Sequence, residues 1–446
     1  MSDGMNNKLV GQKYGCEAMK RRINNIDYVL MILIVLYAFY YLEPYFIWPT
    51  FHNGAFRIFL GRIPYRTIMG LSAIAVWLAS VIFKKTLINQ WKFLLGLGVL
   101  FISIFTVGMS GNLMNSNVFS LDWLPYLVVA IFVMLPEKQQ NISYEMYRTL
   151  FAATLIIPLI TYVAVHIGIK VPYEILESYE QIKIAHGYFY KKFLFAIQMS
   201  SVANLSTPDL RFFGIYDEGG RVGTICALML CAERLQVKKD WKNFIFIVAG
   251  VLSFSMAFYL LLFIYYCCRC LEKGETKRIL ALILVGIVGV VLLNYDFGIP
   301  EIQKFQSRFA ITKSGLGGNN RESAEYKKVL VDFYNKSDLY HLLFGNGIGA
   351  IGAIQDAKEI DGSSYRSLIY DYGFVGFGLS VLWIVLYALF TAKKHKEEAN
   401  QAYTLAIIYL ANMYQRPSLF YISYLIIFIG GLTARKTNKR GILEGL

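Results

Sequence analysis

Apolar residues run along this chain in long blocks, separated by short polar or charged segments. Ile26 to Trp48, Thr67 to Phe83 and Tyr147 to Gly168 each approach the roughly 20 residues that cross a bilayer core. A backbone in hydrocarbon must satisfy its own hydrogen bonds, so helices are the expected form of these blocks. The strand-length alternation of an outer-membrane barrel is absent. The pattern predicts helices over 26–47, 67–83, 92–109, 120–135, 148–167, 212–231, 241–253, 255–270, 278–294, 366–391, 401–414 and 418–434. The expected fold class is an all-α polytopic membrane protein with about 12 transmembrane helices.

Charge orients these elements, because Lys and Arg favour the cytoplasmic side of short loops. Basic clusters stand at Lys20, Arg21 and Arg22, at Lys84 and Lys85, at Lys238 and Lys239, at Lys393, Lys394 and Lys396, and at Arg435, Lys436, Lys439 and Arg440. Parity then bears on 241–270. A single pass there would put Arg269, Lys273, Lys277 and Arg278 outside and invert everything that follows. Two short passes with a tight turn near Ser253 keep every basic cluster inside; a re-entrant hairpin is the alternative. The organisation expected is a cytoplasmic segment over 1–25, helices over 26–168, an outer loop over 169–211, helices over 212–294, a large outer loop over 295–365, helices over 366–434 and a cytoplasmic tail over 435–446. Residues 1–25 are polar and basic, and the apolar run after them is too long for the core of a cleavable signal peptide.

Composition agrees with this picture. Hydrophobic residues make up 56% of the 446 and charged residues 17%, against about 25% charged in soluble domains. The net charge of +14 follows from the inside clusters, and no basic groove of the kind nucleic acid needs is visible. Of the six cysteines, none lies in either outer loop, so no structural disulfide is expected. Cys267, Cys268 and Cys270 lack the second Cys/His pair of a zinc site, and the five histidines have no metal-ligand spacing. Gly347 to Gly352 matches G-x-G-x-x-G, but a dinucleotide site needs a βαβ unit around it, and a turn with close backbone approach is the better expectation.

The outer loops hold the unusual residues. Tyr173, Tyr179, Tyr188, Phe189 and Tyr190 stand in the first, and Phe305, Phe309, Tyr326, Phe333, Tyr334 and Tyr340 in the second. Aromatics at this density suggest packed or membrane-interface structure. Gly187 to Ala203 is expected to lie flat as an amphipathic helix with Lys191 and Lys192 at the headgroups. Four segments then recur in order: Arg211-Phe-Phe-Gly214 with Asp217 and Glu218; Ser307-Arg308-Phe309 followed by Arg321; Leu343-Phe-Gly-Asn-Gly347; and Asp361 with Tyr365 ahead of Asp371 and Gly373-Phe-Val-Gly376. In this order and spacing the chain resembles the O-antigen polymerase family, over about 205–385 in its motifs and throughout in its topology.

The resemblance implies a GT-C-like glycosyltransferase, independent of metal and of any cofactor. It implies a polyprenyl-diphosphate-linked oligosaccharide as donor and a second lipid-linked repeat unit as acceptor, joined at the outer face of a bacterial cytoplasmic membrane. A chain-length regulator is a partner only through the family. Chemistry assigns roles beside this. A guanidinium at a membrane surface needs an anionic partner and pairs with phosphate in a forked geometry. Arg211, Arg308 and Arg321 are therefore the candidate diphosphate ligands, against pairing with loop carboxylates or headgroups. Asp361 with Tyr365 is the first candidate for activating the attacking hydroxyl. Asp217 and Glu218 are further candidates, with helix capping as the plain alternative. A ligase shares this layout but carries a histidine in the late outer loop, where Gly362-Ser-Ser364 stands here. A glycan flippase or transporter is the reading from another class.

Overall fold

A computed structural model describes residues 25–48, 55–58, 61–84, 90–109, 124–178, 180, 183–184, 187–201, 210–295, 306, 311–312, 315–316, 323–347, 349–360, 362–417 and 420–433. The described residues are mostly helical. The first helices are α1 (Asn25–Tyr40), α2 (Tyr65–Lys84), α3 (Gln90–Met109), α4 (Leu124–Met134) and α5 (Glu137–His166), and strands β1 (Ala55–Ile58) and β2 (Gly61–Pro64) pair antiparallel between α1 and α2. A middle set comprises α6 (Gly219–Ala232), α7 (Trp241–Leu252), α8 (Met256–Glu272) and α9 (Thr276–Asn294). Three shorter helices follow, α10 (Ala324–Lys336), α11 (Leu339–Phe344) and α12 (Ala350–Lys358). The last are α13 (Tyr365–Lys394), α14 (Ala399–Gln415) and α15 (Ile422–Thr433). Among the described residues, α5 and α13 are long and apolar enough to cross a membrane by length and composition.

The core lies around α4, α6 and α15, whose side chains are almost all buried. Helix α6 packs on α7, α8, α14 and α15, and α15 also meets α5. Helix α9, by contrast, leaves Leu280, Leu284, Val285, Ile287 and Val291 exposed. The apolar run 241–272 breaks at Ser253–Ser255, where Phe254 takes a positive φ of 46°. The bundle has two polar ends. At one, Arg148 bonds Asp240 at 2.9 Å, Lys394 bonds Glu137 at 2.7 Å, and buried Lys92 donates to Gln140 at 2.6 Å. The opposite end holds the C-terminus of α5 and the N-terminus of α6.

Three expectations need correction. Gly187 to Ala203 is not an amphipathic helix: strands β4 (Tyr188–Lys192) and β5 (Ile197–Ser201) pair antiparallel, and β3 (Glu174–Glu177) pairs with β4. Phe193 N–H donates to Ala196 O at 2.9 Å, a tight turn around Leu194 and Phe195 that no helix permits. Tyr190 is buried against Trp48, with ring centroids 4.9 Å apart. Second, α6 starts at Gly219 rather than 212. The apolar stretch Phe212–Tyr216 is extended and turned instead, with Gly214 at φ +67° and its carbonyl accepting from Ile197 N–H at 2.9 Å. Third, α5 begins at Glu137 rather than 148, because Gln140, Tyr144 and Arg148 bury polar groups against neighbouring helix ends.

The glycine motifs meet each other. Helix α13 bends at Gly373 (φ 68°, ψ 176°), and Leu343–Gly347 folds into the bend. Asn346 N–H donates to Tyr370 O at 2.9 Å and Gly347 N–H to Asp371 O at 3.0 Å. The Asp371 carboxylate accepts from Gly349 N–H at 3.2 Å and Ile351 N–H at 3.0 Å, at the start of α12. A carboxylate there meets the unbonded amides and positive end of a helix dipole.

Candidate functional site

The N-terminus of α6 gathers charge from five parts of the chain. Asp217 is buried, its side chain 1% exposed, and its carboxylate lies 3.2 Å from Lys183 Nζ and 3.1 Å from Arg221 Nε. Arg221 continues to Glu43, at the end of α1, at 2.6 Å. Lys183 also reaches Glu180 at 3.0 Å and Glu218 at 3.8 Å. Arg416, just past the C-terminus of α14, pairs with Glu218. Tyr190 donates to the Asp217 carbonyl at 2.8 Å, so the β-sheet is fastened to the same turn.

Arg211 is the fourth cation. Its Nε donates to Ser253 O at 3.3 Å, in the turn between α7 and α8, and its guanidinium lies 5.5 Å from the Phe213 ring centre. Gly219 and Gly220 make room for the crowding. A Cβ on Gly219 would stand 2.9 Å from Phe212 O, and one on Gly220 would stand 2.9 Å from Arg416 Nη2 and 3.8 Å from Arg211 Nη2. Both guanidinium groups thus lie over the first turn of α6. The positive end of the helix dipole adds to their field.

The cluster is balanced: Lys183, Arg211, Arg221 and Arg416 face Glu43, Glu180, Asp217 and Glu218. Burial pushes the Glu218 carboxyl up, but Arg416, Lys183 and Arg221 outweigh it and hold it below the usual carboxylate range. Burial pulls the Lys183 ammonium down, and Asp217 and Glu218 more than reverse this, holding it above the ordinary lysine range. Glu180 moves the other way. Its burial dominates Lys183 and, with Asp217 and Glu218 nearby, raises it. A carboxylate and a phosphate oxygen satisfy a guanidinium in the same way. Glu218, with 37% of its side chain exposed, occupies on Arg416 the position an anionic ligand would take.

Beside this charged cluster, a cradle over the start of α6, runs an open, shallow cleft between the last two turns of α5 and the β4–β5 turn. Pro158, Tyr162, Val165, Phe193 and Phe212 form its apolar walls, and Thr161, His166, Gln198 and Arg211 line it with polar groups. Pro158 has no N–H for the Thr154 carbonyl; separately, the Thr154 hydroxyl donates to Phe151 O at 2.7 Å and meets the Tyr216 hydroxyl at 2.8 Å.

The residues expected from sequence divide into three groups. Arg211, Asp217 and Glu218 come together. Glu218 stands at the N-cap position of α6 yet makes no capping bond with its side chain, so ion pairing rather than capping accounts for it. Tyr365, at the start of α13, stays outside the cluster and stacks on Tyr414, with centroids 6.1 Å apart, two residues before Arg416. Arg308, Arg321 and Asp361 lie outside the described residues. Lys183, Arg221, Arg416, Glu43 and His166 were not singled out by sequence as site residues. Arg416 had a signal: it is the one charged residue between Ala399 and Thr433, in the short turn between two apolar runs. No family model matches the chain, and no curated protein or solved structure matches it either.

Proposed function

We propose that this chain is a polytopic membrane glycosyltransferase that joins polyprenyl-diphosphate-linked repeat units into a surface polysaccharide, of the O-antigen polymerase type and without metal or cofactor. The observation that carries the reading is the convergence of Arg211 and Arg416 over the first turn of α6, next to buried Asp217. A diphosphate displaces Glu218 from Arg416 and takes the charge-assisted hydrogen bonds of both guanidinium groups. Each such bond contributes about 1.5–3 kcal/mol. The leaving group of glycosyl transfer is that same diphosphate, so groups that hold it in the ground state also stabilise the charge it gains as the sugar bond breaks. Lys183 and Arg221 fix the carboxylates that would otherwise repel it. In this reading the helical blocks span a bacterial cytoplasmic membrane about twelve times, the cradle faces outward, and the exposed apolar side chains of α9 meet lipid. Arg308, Arg321 and Asp361 remain the late-loop residues that the resemblance assigns to diphosphate and acceptor.

Arg211→Ala and Arg416→Ala should each abolish long polysaccharide chains in the source cell while protein level in the membrane is kept, and single lipid-linked repeats should accumulate. Normal chain ladders from both variants would contradict the reading. The bend in α13 at Gly373 favours one second reading, a lipid-linked glycan transporter, because transporters build sites on interrupted helices. Vesicles separate the two: transport of the repeat unit without chain growth would favour the transporter.

A further inference from the structure

Arg211 is shared between the cradle and the cleft, and the cleft holds a group that the cradle leaves unused. His166 lies in the last turn of α5 and lines the cleft with Arg211. Its Nδ1 stands 2.8 Å from the carbonyl oxygen of Tyr162. A carbonyl oxygen can only accept, so the neutral ring carries its proton on Nδ1. Nε2 is then a bare lone pair. It is buried and has no hydrogen-bond partner.

The ring is also held in place. It stacks on Tyr162 with centroids 4.0 Å apart, and the Tyr162 hydroxyl donates to Leu210 O at 2.6 Å, one residue before Arg211. Imidazole and guanidinium are therefore positioned by the same short stretch of chain. A base must present a free lone pair to the proton it takes. Asp217 is held by Lys183 and Arg221 and Glu218 by Arg416, so both cradle carboxylates already serve as counter-ions. Apolar walls with an interspersed hydroxyl and amide, Thr161 and Gln198, suit the mixed surface of a sugar ring.

We propose, resting on the glycosyl-transfer reading, that the cleft receives the acceptor sugar and that His166 Nε2 is the catalytic base for its attacking hydroxyl. The hydroxyl proton passes to Nε2 as the oxygen forms its bond to the anomeric carbon of the donor. The bond from that carbon to the diphosphate oxygen breaks, and its electron pair leaves on the diphosphate, beside Arg211 and Arg416. The imidazolium then gives its proton to water. The other charged or titratable groups that line the cleft are Arg211 and Tyr162.

The test uses the full chain in phospholipid vesicles. The probe is polyprenyl-diphosphate-linked oligosaccharide extracted from cells lacking this chain, with chain extension and lipid binding followed at neutral pH. His166→Gln keeps an acceptor but cannot carry the proton. It should slow extension by about 100-fold or more with affinity for the lipid-linked unit unchanged. A variant within tenfold of wild type overturns the assignment. Should His166→Gln fail to fold, His166→Asn is measured in its place and read by the same threshold. Wild-type protein that binds the lipid-linked unit but never extends it overturns the glycosyl-transfer reading and the base together. Active wild type with an active variant removes the base alone.

Discussion

Replacing Gly345 by alanine tests whether the glycine-rich segment is a structural clasp. Gly345 has φ 76° and ψ −178°, a region open essentially to glycine alone, and a side chain held there costs about 1–3 kcal/mol. The new Cβ would stand 2.3 Å from Asp371 O and 2.5 Å from Gly373 N, both backbone atoms that cannot rotate away. The segment must therefore lift from the bend in α13. That breaks the bonds from Asn346 N–H to Tyr370 O and from Gly347 N–H to Asp371 O, each contributing about 0.5–1.5 kcal/mol. The expected loss is about 2–6 kcal/mol, enough to lower the thermal midpoint in detergent by many degrees. Gly352 is the control. It lies in α12 with nothing within 4 Å of an added Cβ, so Gly352→Ala should leave the midpoint unchanged or raise it slightly. Equal midpoints for Gly345→Ala and wild type would refute the clasp.

Two further outcomes follow from the ion pairs. Arg148, 2% exposed, bonds Asp240 at 2.9 Å and Asn243 at 2.8 Å at the end of the bundle away from the cradle; Arg148→Met should cost about 3–5 kcal/mol of stability in thermal unfolding without weakening ligand affinity at Arg211, and wild-type stability would contradict the network. Glu218 is held below its usual range when folded, so the stability from its ionised form is complete above the unfolded value of about 4.3 and drains away as pH falls towards the lower folded value. Wild type should lose its midpoint more steeply than Glu218→Gln on acidification below about pH 4.3, and parallel curves would count against the pairing.

The helical blocks were legible because an apolar run of given length has few alternatives. The turn at Ser253–Ser255 was legible from charge parity, since one long helix would have misplaced Arg269 and Lys273. Where apolar residues serve something other than a helix, the pattern misled. Phe212, Phe213, Ile215 and Tyr216 are as apolar as a helix start, but they line a turned segment beside the site. Phe193 to Ala196 resembles a helix face and is a hairpin turn, fixed by pairing with β5 rather than by its own periodicity. The site was half legible. Arg211, Asp217 and Glu218 stand together in sequence, and their grouping draws attention. Lys183, Arg221 and Glu43 gain meaning only when the fold brings them to Asp217, and Arg416 reaches Glu218 across 198 residues. His166 carried no sequence signal, because its role depends on a single hydrogen bond at Nδ1.

The central claim is that guanidinium groups over the start of α6 hold a lipid-borne diphosphate, and its most direct measurement is the affinity of the purified chain for polyprenyl diphosphate against the same polyprenol without phosphate. Wild type should prefer the diphosphate by about tenfold or more, the equivalent of one charge-assisted hydrogen bond, and Arg211→Ala with Arg416→Ala should erase that preference. Equal affinity for the two lipids in wild type, or an undiminished preference in the double variant, would contradict it.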